Sequence, residues 1–235
     1  MSVFRSIVFT AVVAGTLVGA AVTLAQFFAT VPLILKGEVY ERAAEQAGAN
    51  SAPAPAAHEH ADHVHAAAWE SKEGFERNAF TAAGNVLTAI GFALVLAGIF
   101  ALRGRTVTWY EGLLWGLGGF IAFTVAPGLG LPPELPGVPT APLEHRQLCW
   151  IATAAATAAG LALLFLRRSP WAVVIGLCLI AVPHAIGAPH LEHVHTDVPD
   201  ALSRQFIAAV PLTSLLFWAL LGSLTGIFYR RFSAA

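Results

Sequence analysis

Six stretches free of Asp, Glu, Lys and Arg run through the chain: Ser6–Leu35, Ala79–Leu102, Gly112–Leu131, Gln147–Leu166, Pro170–Pro189 and Gln205–Tyr229. Each reaches the roughly 20 residues that a helix needs to cross a hydrocarbon core about 30 Å thick. They are continuously apolar, whereas strands of a membrane barrel alternate over about ten residues. The pattern predicts an all-α integral membrane protein, a bundle of six transmembrane helices forming a single membrane domain over residues 1–235. The first run outlasts the 7–15 apolar residues, roughly, of a cleavable signal peptide. It reads as a retained signal anchor; cleavage would leave five spans.

Charge placement sets the orientation. Arg5, Arg103 with Arg105, Arg167 with Arg168, and Arg230 with Arg231 occupy alternate short segments, so they share one face. Dense basic pairs at span ends mark the cytoplasmic side, which puts both termini in the cytoplasm. The opposite face then carries a long loop, 37–78, and a shorter one, 190–204. In the long loop, Lys36–Gln46 is helix-compatible, and Ser51-Ala52-Pro53-Ala54-Pro55-Ala56 is a low-complexity linker expected to be flexible. Three spans contain GxxxG, at Gly15/Gly19, Gly112/Gly116 and Gly222/Gly226, and Ala156/Gly160 adds a small-residue ridge. In lipid, such positions let helix backbones approach closely, so they read as packing seams within the bundle.

Composition narrows the function. The chain is 57% hydrophobic and 11% charged, against about 25% charged for soluble domains, which rules out disorder as the main state. A net charge of −1 with two lysines leaves no basic footprint for nucleic acid. Neither lysine sits in a phosphate-binding GxxxxGK[ST] context. No run holds an ionised residue, so the carboxylate relay usual in proton-coupled transport is missing from the spans. Cys149 and Cys178 fall within apolar runs and read as small packing residues, with no disulfide framework or CxxC site.

Candidate chemistry lies in the histidines, all nine of which fall on the outer side of this topology. His60-Ala61-Asp62-His63-Val64-His65 and His190-Leu191-Glu192-His193-Val194-His195 both read H-x-[D/E]-H-V-H, and His58 precedes the first. Three imidazoles and a carboxylate can fill most of the coordination shell of Co, Ni, Cu or Zn. On a helix the third histidine would point away from the first two, so an extended or turn conformation suits one ion better. His145 lies in the second outer loop. His184 sits within the fifth run, behind Pro183, which frees the carbonyl of Leu179. An ionisable group inside a span is a functional candidate. Pro32, Pro127, Pro183 and Pro211 all fall in outer halves of their spans, where freed carbonyls can line a vestibule. The candidate metal ligands are therefore His58, His60, His63, His65, His184, His190, His193 and His195.

At several of these residues the sequence resembles the CbtA family, predicted cobalt transporter subunits found with vitamin B12-related genes in bacteria. The resemblance runs through Phe4-Arg5, the outer loop Gly128-Leu129-Gly130-Leu131-Pro132-Pro133-Glu134-Leu135-Pro136-Gly137, Arg146-Gln147 with Trp150, and Pro183-His184 through Gly187-Ala188-Pro189-His190. It implies cobalt as the ion, about five spans where the runs give six, a bacterial inner-membrane location, and a small single-span partner carrying histidines, CbtB. The expected function is a membrane subunit for divalent metal uptake. No cofactor is expected to be bound permanently; Co2+ would be cargo. One alternative is a non-transporting metal-binding accessory or sensor for another permease. Another is a haem-binding redox protein, which needs two axial histidines on facing helices, where only His184 qualifies.

Overall fold

The computed structural model describes residues 2–51, 74–167, 169–191 and 195–234. Every regular element in them is helical: α1 Val3–Ala29, α2 Val31–Ser51, α3 Phe75–Arg103, α4 Trp109–Phe120, a π-helical turn Ile121–Val125, α5 Ala126–Gly130, α6 Leu143–Leu166, α7 Pro170–Ile186 and α8 Asp200–Ser233. Five helical units are long and apolar enough to cross a membrane: α1, α3, the stretch Trp109–Gly130, α6 and α8. The fifth run forms α7, which is apolar but only 17 residues long. At 1.5 Å per residue it spans about 26 Å, the lower edge of what a crossing requires. The molecule is a helical, multi-pass membrane protein with five helices long enough to span and one shorter apolar helix.

Glycine decides how the helices meet. A Cβ at Gly15 or Gly19 of α1 would lie 2.6 or 2.5 Å from the Cα of Ile90 or Val86 of α3. Gly112 and Gly116 of α4 face Trp218, Gly222 and Gly226 of α8 with equally little room, and Gly160 of α6 meets Gly176 and Ile180 of α7. All three pairs run antiparallel. Each GxxxG read from the sequence is thus used inside the chain, backbone against backbone. Above these seams Val18, Leu96, Phe100, Trp218 and Leu221 form the buried core, and Phe92 meets Phe123, Phe217 and Trp218 edge-on.

The first run is not one helix. It breaks at Thr30, where α1 is capped by the Thr30 N–H donating to the Gln26 carbonyl at 3.0 Å. Pro32 explains the break, because its ring removes the N–H that would continue the α1 ladder and clashes one turn back. Beyond it α2 carries the helix-compatible stretch Lys36–Gln46 and ends at Ser51, so the outer segment 37–78 starts as helix. Arg77 at the start of α3 holds α2 in place through Glu38, at 2.9 Å.

Packing also sorts the ends of the bundle. Leu33, Ile34 and Tyr40 of α2, Leu135 and Val138 of the loop after α5, and Val198, Leu202 and Phe206 form a second apolar cluster. The Thr196 hydroxyl donates to the Gly137 carbonyl at 2.9 Å, and Arg146 pairs with Glu134 at 2.8 Å. The connections after α1, α5 and α7 therefore gather at one end, with His145, His184, His190 and His195. At the other end the Ser6 hydroxyl donates to the Phe232 carbonyl at 3.0 Å, and Gly226 abuts Thr108. That end carries Arg5, Arg103, Arg105, Arg167, Arg230 and Arg231. The described histidines thus gather at the end opposite the dense arginine pairs, although Arg77 and Arg146 lie at the histidine end as well.

Candidate metal site

A cavity of about 380 Å³ opens at the histidine end, between the α6–α7 hairpin and the region of α5. One wall is Ala126, Pro127, Leu129 and Gly130, which follow the π-helical turn. The turn places the Ala126 N–H on the Ile121 carbonyl, five residues back, and Pro127 has no N–H to offer. A carbonyl of the preceding turn is left without its usual helical donor. Such π segments are frequent at functional sites.

The facing wall carries the donors. His184 and His190 line the cavity together with Cys149 and Thr153 of α6. His184 lies in the last turn of α7, so it belongs to the membrane boundary and not to the apolar interior of the span. Pro183 removes the donor for the Leu179 carbonyl, while its own carbonyl accepts from the Gly187 N–H at 3.1 Å. Gly187 has φ +87°, a left-handed conformation that L side chains rarely adopt. The glycine turns the chain out of α7, and three residues later His190 again lines the cavity.

The other candidate residues divide. His195 is exposed, lines no part of this cavity, and adjoins Thr196, which is tied to the Gly137 loop. The second histidine motif therefore sends its first and last imidazoles to different places. His58, His60, His63, His65 and His193 lie outside the described residues. Among the described residues no three His, Cys, Asp or Glu side chains come together as a metal cage. The arrangement offers imidazoles, a thiol, a hydroxyl and carbonyl oxygen spread along one cavity.

A family model described as "Probable cobalt transporter subunit (CbtA)" matches residues 4–230. The chain belongs to the CbtA family. No curated protein and no solved structure matches it. As a CbtA-family member it is a probable subunit of a cobalt transport system, which implies at least one partner. The sequence reading of Cys149 as a packing residue is incomplete, since it is half-buried on the cavity wall. Its signal was the i, i+4 spacing to Thr153, which puts both on one face of α6. Cys178 is exposed on α7 and stands apart from the cavity lining.

Proposed function

We propose that this CbtA-family chain is the membrane subunit of a bacterial inner-membrane system that takes up divalent transition metal, with cobalt as its cargo. The arginine-rich end faces the cytoplasm, following the placement of dense basic pairs. The histidines of 58–65 and 190–195 capture the ion outside. His184 and His190, with carbonyl oxygen freed by Pro127 and Pro183, pass it toward the bundle. The observation that carries this reading is the convergence of His184 and His190 on one cavity at the end opposite the dense arginine pairs. Imidazole nitrogen suits Co2+, though Ni, Cu and Zn would bind it as well, so cobalt rests on the family.

The spans carry no carboxylate relay for proton coupling, and the CbtA family is described as a subunit, so a partner is expected beside this chain. A small single-span CbtB-like protein carrying histidines fits that place. A bis-histidine haem finds little support, since the described His145 and His184 occupy terminal turns of α6 and α7. The test is radioactive cobalt accumulation in cells expressing the chain alone and with its small genomic neighbour. Accumulation in the paired strain supports uptake. Cobalt bound by the purified chain without accumulation in either strain would make it a metal-binding accessory instead.

A further inference from the structure

Thr153 is the innermost residue of α6 on the cavity wall, but the polar face of the helix continues past it. Cys149, Thr153 and Thr157 follow one another at four-residue steps along α6, forming a slowly winding polar stripe about 12 Å long on an otherwise apolar helix. Their exposure falls in the same order. Cys149 is half-buried, Thr153 is 4% exposed and Thr157 is 0% exposed. The buried face of α6 consists of Thr153, Ala154, Thr157 and Gly160, so the stripe points into the protein.

Thr157 differs in its hydrogen bonding from several other helical threonines. Thr23, Thr30, Thr81 and Thr213 all return their hydroxyls to the carbonyl four residues earlier, the normal way to satisfy a threonine in an apolar helix. The buried Thr157 hydroxyl has no partner at all. Leaving a buried hydroxyl unsatisfied costs about 1–3 kcal/mol, so such a group calls for a reason. Thr10 and Thr225 share this state, but they belong to α1 and α8, which contribute nothing to the cavity wall. Only at Thr157 does an orphaned hydroxyl continue a line of donors that begins in the cavity.

We propose that Cys149, Thr153 and Thr157 form the inner lining of the metal path, with the Cys149 sulfur receiving the ion from His184 and the two hydroxyls solvating it, or its water shell, farther in. This rests on the reading of the cavity as the entrance. A thiolate is a good ligand for a borderline divalent ion, and one donor at a time along the helix hands the ion on without trapping it. The stripe ends near Gly160, where α6 and α7 touch backbone to backbone.

The experiment measures thiol accessibility in the full chain in membranes, with a membrane-impermeant charged methanethiosulfonate reagent. All variants carry Cys178→Ser. Native Cys149 is compared with Thr153→Cys, Thr157→Cys and Ala155→Cys, the last three also carrying Cys149→Ser. Positions 149, 153 and 157 should react from outside, more slowly with depth, and Co2+ should slow all three. Ala155, on the exposed side of α6, should stay unreactive because it faces lipid. A Thr157→Cys that reacts no faster than Ala155→Cys overturns the proposal. Independently, the isosteric Thr157→Val should lower cobalt uptake about tenfold, the scale of a lost hydrogen bond to a charged group, and Thr157→Ser should retain it. Full uptake by a folded Thr157→Val also overturns the proposal. His184→Ala with normal uptake and an unchanged labelling pattern would sink the entrance reading while leaving the lining in place.

Discussion

The bundle is built in two ways. In α1, α3, α4 and α8, glycine seams bring backbones into contact and a cluster of aromatic rings fills the space beside them. α8 alone buries Leu202, Phe206, Trp218 and Leu221. The α6–α7 hairpin is thin by comparison, for α7 buries only Ala172 and Gly176, and the inward face of α6 is largely threonine and glycine. In lipid no hydrophobic effect drives helices together, so close packing has to hold the scaffold. The hairpin has its own glycine contact, Gly160 against Gly176, but few large side chains are buried beside it, and there a cavity remains. The contrast places the packed scaffold in the first group and, on the proposed reading, the metal route in the second.

The largest effect should come from filling a seam. Gly19→Leu drives a side chain into the backbone of Val86, and overpacking a tight contact costs at least about 1–3 kcal/mol. The variant should fail to give monodisperse protein in detergent. A well-behaved Gly19→Leu would mean that the scaffold is not held by these seams. A functional lesion should be smaller and conditional. Replacing His58, His60, His63 and His65 together with Ala should weaken uptake mainly at low external metal, because a tethered loop raises local ion concentration. If the loss persists at saturating metal, the loop belongs to the path itself. A third effect is graded. Only neutral imidazole binds a cation, and protons compete for it as pH falls through about 6–6.5. Cobalt capture at limiting metal should therefore be full near pH 8 and decline toward pH 5, and a flat profile would assign the ion to other donors. The smallest effect marks the contrast from the other side. A Cβ at Gly98 meets nothing within 4 Å, so Gly98→Ala should change thermal stability little, or raise it by up to about 1 kcal/mol.

Much of the scaffold was readable along the chain. Continuous apolar runs report helical spans directly, because the other structure that satisfies its backbone within lipid, the closed barrel, reads as alternating strands. The GxxxG pairs reported contacts because glycine alone permits them. The break at Thr30 was hidden, since Pro32 sits inside an uninterrupted apolar run and charge counting cannot see a missing N–H. The short reach of α7 was hidden too. Pro189 closes the fifth run, but Gly187 ends the helix. At the site, His184 and His190 announced themselves by type, whereas Cys149 and Thr153 did not. A thiol counts as apolar, and a threonine in a membrane helix usually bonds its own backbone. Their placement on a cavity wall depends on which face of α6 meets the π-helical turn, a tertiary fact. The divergence of His190 and His195 has the same origin, because Thr196 and Val198 dock the second onto a different loop.

The central claim is that a membrane-boundary imidazole stands in the route of the ion. Initial rates of radioactive cobalt uptake, measured across external cobalt for His184→Ala and the unaltered chain with the small partner present, test it most directly. The rate should fall at every concentration, with saturating cobalt giving no rescue and His184→Gln recovering little, since an amide poorly replaces imidazole on a transition metal. Normal uptake by His184→Ala at all concentrations would contradict the claim and make His184 a packing residue.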